Sequence, residues 1–587
     1  MTAKQKFIFF AIILLAVFFR FYQITRMPGG LFPDEAANGL DINSMQAGQL
    51  QPFYERGNGR EALFFYMEWA STAVLGKGQL AMHATSALVG VLTVIIIFFA
   101  AYRLFLVDPN EHDKVLLKAR AIKIGLLASF LTAVSTWHVV LSRTAFRANL
   151  TPLFGSLVIY LLLRTYQADS RKSQLAFAFL TGAAFAGGFY TYIAFRIMAP
   201  VLFMIIIWPM LAGIKNSQFW MNIKKYFLPI IFATIAFGIV IFPIANYFYH
   251  NFDYFIGRSG QVSIFNPELY TVNGEQLHGK PTGLVLTSVF GEVFKTTVAG
   301  FFTYGDLNWR QNISGYPLLL PLISPFFAVG LVVPLFLGIW YFFAPAKRPG
   351  FWKYFLLTGW FWGMLLPEMA TAEGIPHALR SAGAVAPTFI ITAWALYEVT
   401  HIVIRLHKKL WQNRLFRHQD PQWMKESHFV PLRMRIVNGA ITFTGILFCL
   451  VLISQTYYLY FVYAANSPEY FYSFRADLTP VSEYLRKRCN KEATYLILDK
   501  FSVQTPDYLT SDPHGNFSDK CNVPYRQVDP ENSWQLPNLK SGDEIIFTQS
   551  SVFDTKKFKQ YHPEAHLTLE YRNKFGQSVM AVYKIEN

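Results

Sequence analysis

The chain has 587 residues, of which 53% are hydrophobic and only 15% are charged, and its mean hydropathy is +0.28. Soluble proteins carry charges on roughly a quarter of their residues, so this composition excludes an ordinary soluble protein and predicts a polytopic membrane protein. The net charge of +16 does not require a nucleic-acid partner, because membrane proteins collect Lys and Arg in their cytoplasmic loops.

Apolar runs of spanning length predict about eleven transmembrane helices. The first run follows Lys4 and Lys6 and lacks a small-residue cleavage pattern after it, so we expect an uncleaved helix. The predicted spans are 7–23, 81–106, 121–141, 150–165, 175–193, 197–212, 226–246, 317–343, 354–367, 382–404 and 436–463.

Basic residues set the predicted orientation. With the N-terminus in the cytoplasm, every predicted inner loop is basic, including the dense run "RLHKKLWQNRLFRH" from Arg405, as the positive-inside rule requires. Residues 1–463 then form the membrane domain, with large outer loops at 24–80 and 247–316. Residues 464–587 follow it, and their runs "ATYLILD", "DEIIFTQ" and "SVMAVYKI" predict a small α/β domain outside the membrane. Part of the first outer loop, "REALFFYMEWASTAVLG", is amphipathic and predicts a helix along the membrane surface.

Two of the three cysteines, Cys489 and Cys521, fall in this C-terminal region. They are candidates for a disulfide if the domain faces an oxidising compartment, and two unpaired thiols are the alternative.

Adjacent carboxylates follow the first span in "GLFPDEAANG". Asp34 has a purely structural interpretation as the N-cap of a short helix, but this leaves Glu35 unexplained. A carboxylate at the membrane surface can also deprotonate an acceptor or hold a divalent cation.

Arginines at the predicted outer side indicate an anion site. "LSRTAFRANLTP" places Arg143 and Arg147 four residues apart, with no acidic residue nearby in sequence, and phosphate is the natural ligand for such a pair. Arg196 in "YTYIAFR" is similar. The alternative is that these side chains extend to lipid headgroups.

Two further outer segments combine charged, amide and aromatic groups. "EMATAEGIPHALRSAGA" contains Glu373, His377 and Arg380 at the start of a predicted helix, an arrangement that suits phosphate, although an ordinary surface loop is the alternative. "YGDLNWRQNISGYP" suits a sugar or an acceptor, and an interfacial aromatic belt is the alternative. Its candidate binding residues are Tyr304, Asp306, Asn308 and Arg310.

Other common catalytic patterns are missing from the sequence. It has no Cys/His zinc spacing, no P-loop and no G-x-S-x-G motif. Nucleotide hydrolysis and serine chemistry therefore have no support.

The ordered set of motifs resembles the membrane glycosyltransferases of the GT-C fold. More narrowly, it is similar to the bacterial branch of the dolichyl-phosphate-mannose–protein mannosyltransferases, glycosyltransferase family 39, and to the related aminoarabinose transferases acting on lipid A. The resemblance covers roughly residues 5–400. It rests on "LFPDEAANGLD", "SALVGVLTVIIIFFAAYRLF", "LSRTAFRANLTPLF", "YGDLNWRQNISGYPLL" and "EGIPHALRSAGA".

This resemblance implies a mainly α membrane fold and a specific reaction. The donor is a polyprenyl-phosphate monosaccharide, and the sugar moves with inversion to an acceptor outside the cytoplasm, which is a protein, lipid A or a glycan. Asp34 matches the general base and Glu35 its partner. Some GT-C enzymes use a divalent metal, for which Asp34 and Glu35 are the candidate ligands here. Some members add a second acid from the second outer loop, but this chain has Arg143 and Arg147 there and no acid.

Two other classes of function compete with the enzyme. A transporter or flippase of lipid-linked sugars would use the same donor, but transporters typically show broken helices and internal repeats near the midplane. A non-enzymatic scaffold or sensor would not require the set of acids and arginines. The expected partners are the lipid-linked donor, membrane lipid and the acceptor, with no nucleic acid.

Overall fold

The computed structural model describes the whole chain except residues 107–112, 212–216, 267–270, 273–274, 277–282, 345–348, 418–428, 488–492, 512–523, 532 and 587. Seven of its described helices are long and apolar enough to cross a membrane: Gln79–Phe105, Arg147–Tyr166, Ile223–His250, Val285–Phe302, Ser324–Phe343, Ala382–Leu406 and Gly439–Asn466. The chain is a multi-pass membrane protein, and the count of about eleven crossings remains a prediction.

Helices of the membrane domain follow the predicted apolar runs in order. They are α1 (Ala3–Phe21), α2 (Pro33–Gln46), α3 (Leu63–Leu75), α4 (Gln79–Phe105), α5 (Lys114–Ala133), α6 (Thr136–Leu141), α7 (Leu150–Tyr166), α8 (Arg171–Gly188), α9 (Met198–Leu211), α10 (Ser217–His250), α11 (Phe252–Val262), α12 (Gly283–Phe302), α13 (Ser324–Phe343), α14 (Trp352–Met369), α15 (Val385–Arg417) and α16 (Phe429–Tyr457).

The predicted span 121–141 is divided between α5 and α6. The break lies at Val134 and Ser135, and the Ser135 hydroxyl accepts a hydrogen bond from the backbone N–H of His138 at 3.2 Å. Ser is a preferred N-cap residue, so it starts a new helix where the apolar pattern alone runs on.

Helix α12 lies inside the segment 247–316, which the sequence predicted to be an outer loop. Glu292 and Lys295, an ion pair at 3.6 Å, dilute its apolar pattern. The chain enters this region where Ile264 donates a backbone hydrogen bond to Ala370 at 3.0 Å. It returns at Gly300, where an added Cβ would lie 3.2 Å from the Pro376 side chain. Ile264 and Gly300 therefore both lie close to the segment 370–376.

Between α1 and α4 the chain forms a small layer over one end of the bundle. Two short antiparallel strands, β1 (Phe53–Tyr54) and β2 (Arg60–Glu61), connect α2 to α3. Pro33 occupies the first position of α2, where its missing N–H costs nothing. Helix α3 lies within the stretch that the sequence predicted to be an amphipathic helix. We call this end of the bundle the Asp34 face.

The C-terminal region forms a mixed five-stranded sheet, which confirms the predicted small α/β fold. Its helices are α17 (Pro468–Ser473), α18 (Leu478–Lys487), α19 (Gln504–Thr510) and α20 (Thr555–Tyr561). Strands β3 (Thr271–Val272) and β4 (Glu275–Gln276) form a separate hairpin in the membrane domain, and the sheet consists of β5 (Thr494–Ile497), β6 (Tyr525–Val528), β7 (Glu544–Thr548), β8 (Ala565–Arg572) and β9 (Ser578–Ile585). The strand order is β6-β5-β7-β9-β8, with β5 parallel to β6 and β7 and the other pairs antiparallel.

Candidate active site

The first turn of α2 separates the two adjacent carboxylates. Glu35 is fully buried: its Oε2 accepts the backbone N–H of Phe32 at 2.9 Å and lies 3.3 Å from Nε2 of His83, while its Oε1 accepts the N–H of Ala145 at 2.7 Å. Asp34, one residue earlier, is exposed. Glu35 therefore fixes the start of α2, and Asp34 is left at the accessible surface.

Arg60 of β2 lies beside Asp34 and was not singled out from the sequence. Its guanidinium donates to the backbone carbonyl of Asp34 at 3.3 Å and to Oδ1 of Asn38 at 2.8 Å, and it lies 3.4 Å from Asp41. Burial lowers the pKa of Arg60 to about 10, against the opposing charges of Asp41 and Asp34, so Arg60 stays protonated at neutral pH. The Asp34 carboxylate thus has a cation next to it.

Glu61 joins two of the predicted arginines. Its carboxylate lies 3.0 Å from Nε of Arg147 and 3.5 Å from Nη2 of Arg196. The Arg147 guanidinium also lies over the ring of Tyr192, 5.5 Å from its centroid. No acidic residue lies near Arg147 in the sequence, and its partner Glu61 comes from the first outer loop, 86 residues earlier.

Arg143 occupies a different environment from Arg147. Its side chain is fully buried, and the guanidinium donates four hydrogen bonds of 2.8–3.0 Å to backbone carbonyls at and after the end of α1. It also lies over the rings of Tyr460 and Phe461, at 5.0 and 5.1 Å. This placement assigns Arg143 to closing the end of a helix, so the structure does not bring it together with the other predicted phosphate ligands.

Glu373 joins a second pair of arginines. Its Oε2 lies 2.7 Å from Nη2 of Arg380 and 3.5 Å from Nη2 of Arg258, which belongs to α11 and was not predicted. His377 follows in the same segment, and its backbone N–H donates to Glu368 at 2.9 Å. Burial, and then the charge of Arg380, lowers the pKa of His377 to about 3, so its imidazole is neutral.

Asp306 connects the two outer segments that the sequence singled out. Its Oδ1 accepts the N–H of Asn308 at 2.7 Å, and its Oδ2 accepts the N–H of Ala378 at 2.9 Å. Burial raises the pKa of Asp306 to about 6. Arg310 donates through Nε to Oδ1 of Asn308 at 3.1 Å, and Tyr304 is exposed nearby in sequence.

Several of these groups act on one another electrostatically at the Asp34 face, and we call this set of residues the polar ring. Arg60 interacts electrostatically with Asp34 and Arg147. Both Arg147 and Arg380 act on the hydroxyl of Tyr192, and Arg380 acts on Asp306. The charges of Asp34 and Asp306 in turn act on Arg310. The members of the polar ring are Asp34, Arg60, Arg147, Tyr192, Arg380, Asp306 and Arg310.

The two candidate metal ligands, Asp34 and Glu35, differ in their environments. Glu35 already accepts two backbone hydrogen bonds, while Asp34 is exposed on the polar ring. Within the described part of the chain, no group of three His, Cys, Asp or Glu side chains is arranged to hold a metal ion. Cys489 and Cys521, the predicted disulfide partners, lie outside the described residues.

Comparison with known proteins identifies the fold. No protein-family model and no curated protein matches the sequence. The crystal structure of ArnT from Cupriavidus metallidurans bound to undecaprenyl phosphate is similar, with a TM-score of 0.55 and 12% identity, covering 99% of this chain and 98% of that chain. The same protein in the apo state gives a TM-score of 0.52 and 11% identity, covering 99% and 97% of the two chains. The chain therefore has the GT-C fold of membrane glycosyltransferases, as the sequence motifs predict.

Proposed function

We propose that this protein is an inverting glycosyltransferase that moves a monosaccharide from a polyprenyl-phosphate donor to an acceptor outside the cytoplasm. The observation that carries the proposal is the polar ring: an exposed carboxylate, Asp34, lies beside the buried Arg60 and within the electrostatic influence of Arg310 at one end of a membrane bundle. A donor with a lipid tail and a phosphate requires this combination of membrane and cationic surface.

The net positive charge of two arginine–glutamate groups supports the proposal that the site binds the donor phosphate. Glu61 with Arg147 and Arg196 leaves one positive charge, since two guanidinium groups face one carboxylate. Glu373 with Arg258 and Arg380 leaves another. The leaving group, a phosphate monoester, carries about two negative charges near neutral pH. Both units attract this charge, and their effect grows as charge develops on the leaving oxygen.

We assign Asp34 as the general base that takes the proton of the acceptor. In the proposed step, the acceptor oxygen attacks the anomeric carbon and gives its proton to Asp34. The bond from that carbon to the phosphate oxygen breaks, and polyprenyl phosphate leaves with the bonding electrons. One direct displacement inverts the anomeric centre and needs a single base. Glu35 supports this role by holding the start of α2.

The remaining predicted residues are assigned to the sugar and the acceptor. Arg310 belongs to the polar ring, Asn308 and Glu373 contact its arginines, and Tyr304 is close to Asp306 in sequence; both Asp306 oxygens accept backbone N–H groups. His377 is neutral and adjacent to Arg380, so it suits hydrogen bonding to a phosphate oxygen. We derive no step through a metal, because the described residues lack a matching set of ligands.

The lipid donor and the orientation belong to the same proposal. Because the similar ArnT structure contains undecaprenyl phosphate, we propose a donor of this class here. We propose, from the basic loops, that the protein lies in the plasma (inner) membrane with its N-terminus in the cytoplasm and with the polar ring and the C-terminal domain outside. The acceptor is a protein, lipid A or a glycan.

A transfer assay tests the proposal. Wild-type protein in nanodiscs would be given radiolabelled polyprenyl-phosphate sugars and membrane extract as a source of acceptor. We expect transfer of label, reduced at least about a hundredfold in Asp34→Asn, since removing a general base typically costs this much. Glu55→Gln is a matched control, because its exposed carboxylate lies in the same outer segment and contacts Tyr247 and Tyr254 instead of the ring.

Three results would contradict parts of this reading. Equal transfer by wild type and Asp34→Asn would exclude Asp34 as the base. Loss of transfer in Glu55→Gln as severe as in Asp34→Asn would indicate a general effect of charge in this segment. Movement of donor across liposomes without any transfer would support the flippase.

A further inference from the structure

The C-terminal domain contacts α2 from one end to the other. Before the start of the helix, the carbonyl of Leu31 accepts a hydrogen bond from the Thr505 hydroxyl at 3.0 Å. Near the end of the helix, Nδ2 of Asn43 lies 3.4 Å from the Ser511 hydroxyl. The helix that carries Asp34 is therefore held by residues that follow it by more than 460 positions.

Two glycines allow the closest approaches. A Cβ on Gly39, in the middle of α2, would lie only 2.4–2.5 Å from the ring of Tyr508, and a Cβ on Gly30 would lie 2.6 Å from Cα of Ala476. Tyr508 is buried, and the Lys77 ammonium lies 4.6 Å from its ring centroid. The domain thus rests directly on the backbone of α2, and any larger residue at position 39 would push the two apart.

Aromatic contacts extend this interface to the polar ring. The Phe501 ring of the C-terminal domain lies 5.7 Å from the ring of Phe32, the residue immediately before α2. The guanidinium of Arg310 lies 3.9 Å from the centroid of Phe32. A shift of the C-terminal domain would therefore move the start of α2 and one arginine of the ring together.

These contacts come from the segment that follows the carboxyl end of β5, the strand between its parallel neighbours β6 and β7. Here the loop and helix that follow β5 provide Phe501, Thr505 and Tyr508, and they contact the residues around α2.

We infer that the C-terminal domain is a positioning element for Asp34, acting through the contact of Tyr508 with Gly39 and the hydrogen bond of Thr505 to Leu31. The inference rests on the proposed function, because Asp34 must be the base for its position to matter. A base displaced by about 1 Å can cost a hundredfold in rate. Weakening the contact should therefore lower kcat while leaving donor KM nearly unchanged.

A cycle of variants tests this role. Tyr508→Ala and Gly39→Ala should each lower kcat by about 10- to 100-fold, with donor KM within about threefold of wild type. Tyr508→Phe keeps the ring and should behave like wild type. In the double variant, the Cβ of Gly39→Ala enters the space vacated by the ring, so we expect more activity than the two single losses multiplied together predict. Thr505→Val, which removes only the hydroxyl bond to Leu31, repeats the test with a milder change.

Hydrogen–deuterium exchange provides a readout that does not depend on transfer. Exchange in residues 33–46 should rise in Tyr508→Ala, Gly39→Ala and Thr505→Val, but not in Tyr508→Phe, at a temperature where each variant remains folded. Unchanged exchange and kcat in the three weakened variants would overturn the inference, as would losses that simply multiply in the double variant. Absence of transfer by wild type would reject the proposed function, whereas the exchange data would still decide whether the domain holds α2.

Discussion

Replacing Arg143 with Met should destabilise the protein without weakening the binding of donor. The guanidinium is fully buried and donates hydrogen bonds of 2.8–3.0 Å to four carbonyls, those of Phe19, Arg20, Tyr22 and Met27. Methionine fills much of the same volume against Tyr460 and Phe461 but donates no hydrogen bond. The substitution therefore removes these four hydrogen bonds together with the cation–π contacts to the two rings, while it keeps most of the packing.

The magnitude follows from the carbonyls left behind. A buried polar group without a partner costs about 1–3 kcal/mol. If water reaches two of the four carbonyls, the other two still cost about 2–6 kcal/mol together. Arg143→Lys, which keeps the charge and up to three donors, should lose less than Arg143→Met.

Thermal unfolding and donor kinetics, measured on the same preparations, separate the two roles of Arg143. We expect Arg143→Met to lower the melting temperature strongly and to keep the donor KM of the fraction that remains folded. Arg147→Met is the comparison, because its partly exposed guanidinium is paired with Glu61 on the polar ring. It should raise donor KM with a small change in melting temperature. A wild-type melting temperature with a raised donor KM in Arg143→Met would refute the structural role and restore Arg143 as a phosphate ligand.

Two further predictions concern the buried carboxylates Glu35 of α2 and Glu68 of α3. Glu35→Gln should cost about 1–3 kcal/mol of stability, seen as a lower melting temperature, because one of the two backbone N–H groups it accepts loses its partner; an unchanged melting temperature would contradict this. Glu68 is fully buried and burial raises its pKa, so its contribution to stability is complete below its ordinary pKa and declines as pH rises towards the raised value. Glu68→Gln should therefore melt higher than wild type at pH 8 and lose this advantage towards pH 5, and a difference independent of pH would disprove the argument.

Much of the membrane domain could be predicted from the sequence because apolar length and basic loops are local properties. The helices follow the predicted runs, and the strand-like runs of the C-terminal region form β5, β7 and β9. Helix α12 was missed because Glu292 and Lys295 interrupt its apolar pattern. A hydropathy pattern counts the charges in a segment, but it does not show that Glu292 and Lys295 form an ion pair.

The candidate site was predictable only where it depends on local sequence motifs. The motifs identified Asp34, Arg147, Asp306 and Arg380, but the pairing of Arg147 with Glu61 depends on contacts between distant segments. The run "ERGNGRE", in which Arg60 and Glu61 lie beside two glycines, is a weak indication that the first outer loop contributes residues to the site. The different environments of Arg143 and Arg147, four residues apart, cannot be read from their spacing.

The carboxylates paired with the arginines give the polar ring a further property. Glu61 is distant in sequence from both of its arginines, Glu373 is distant from Arg258, and each carboxylate faces two guanidinium groups. The guanidinium groups are therefore held in place before any ligand arrives, so little reorganisation is needed when charge develops. Fully neutralised arginines would provide no field for a phosphate, whereas unpaired buried arginines would destabilise the fold. Half-neutralised pairs satisfy both requirements. In the proposed reaction they favour the departing monoester over the diester donor, which carries one negative charge fewer, and this difference lowers the barrier to cleavage.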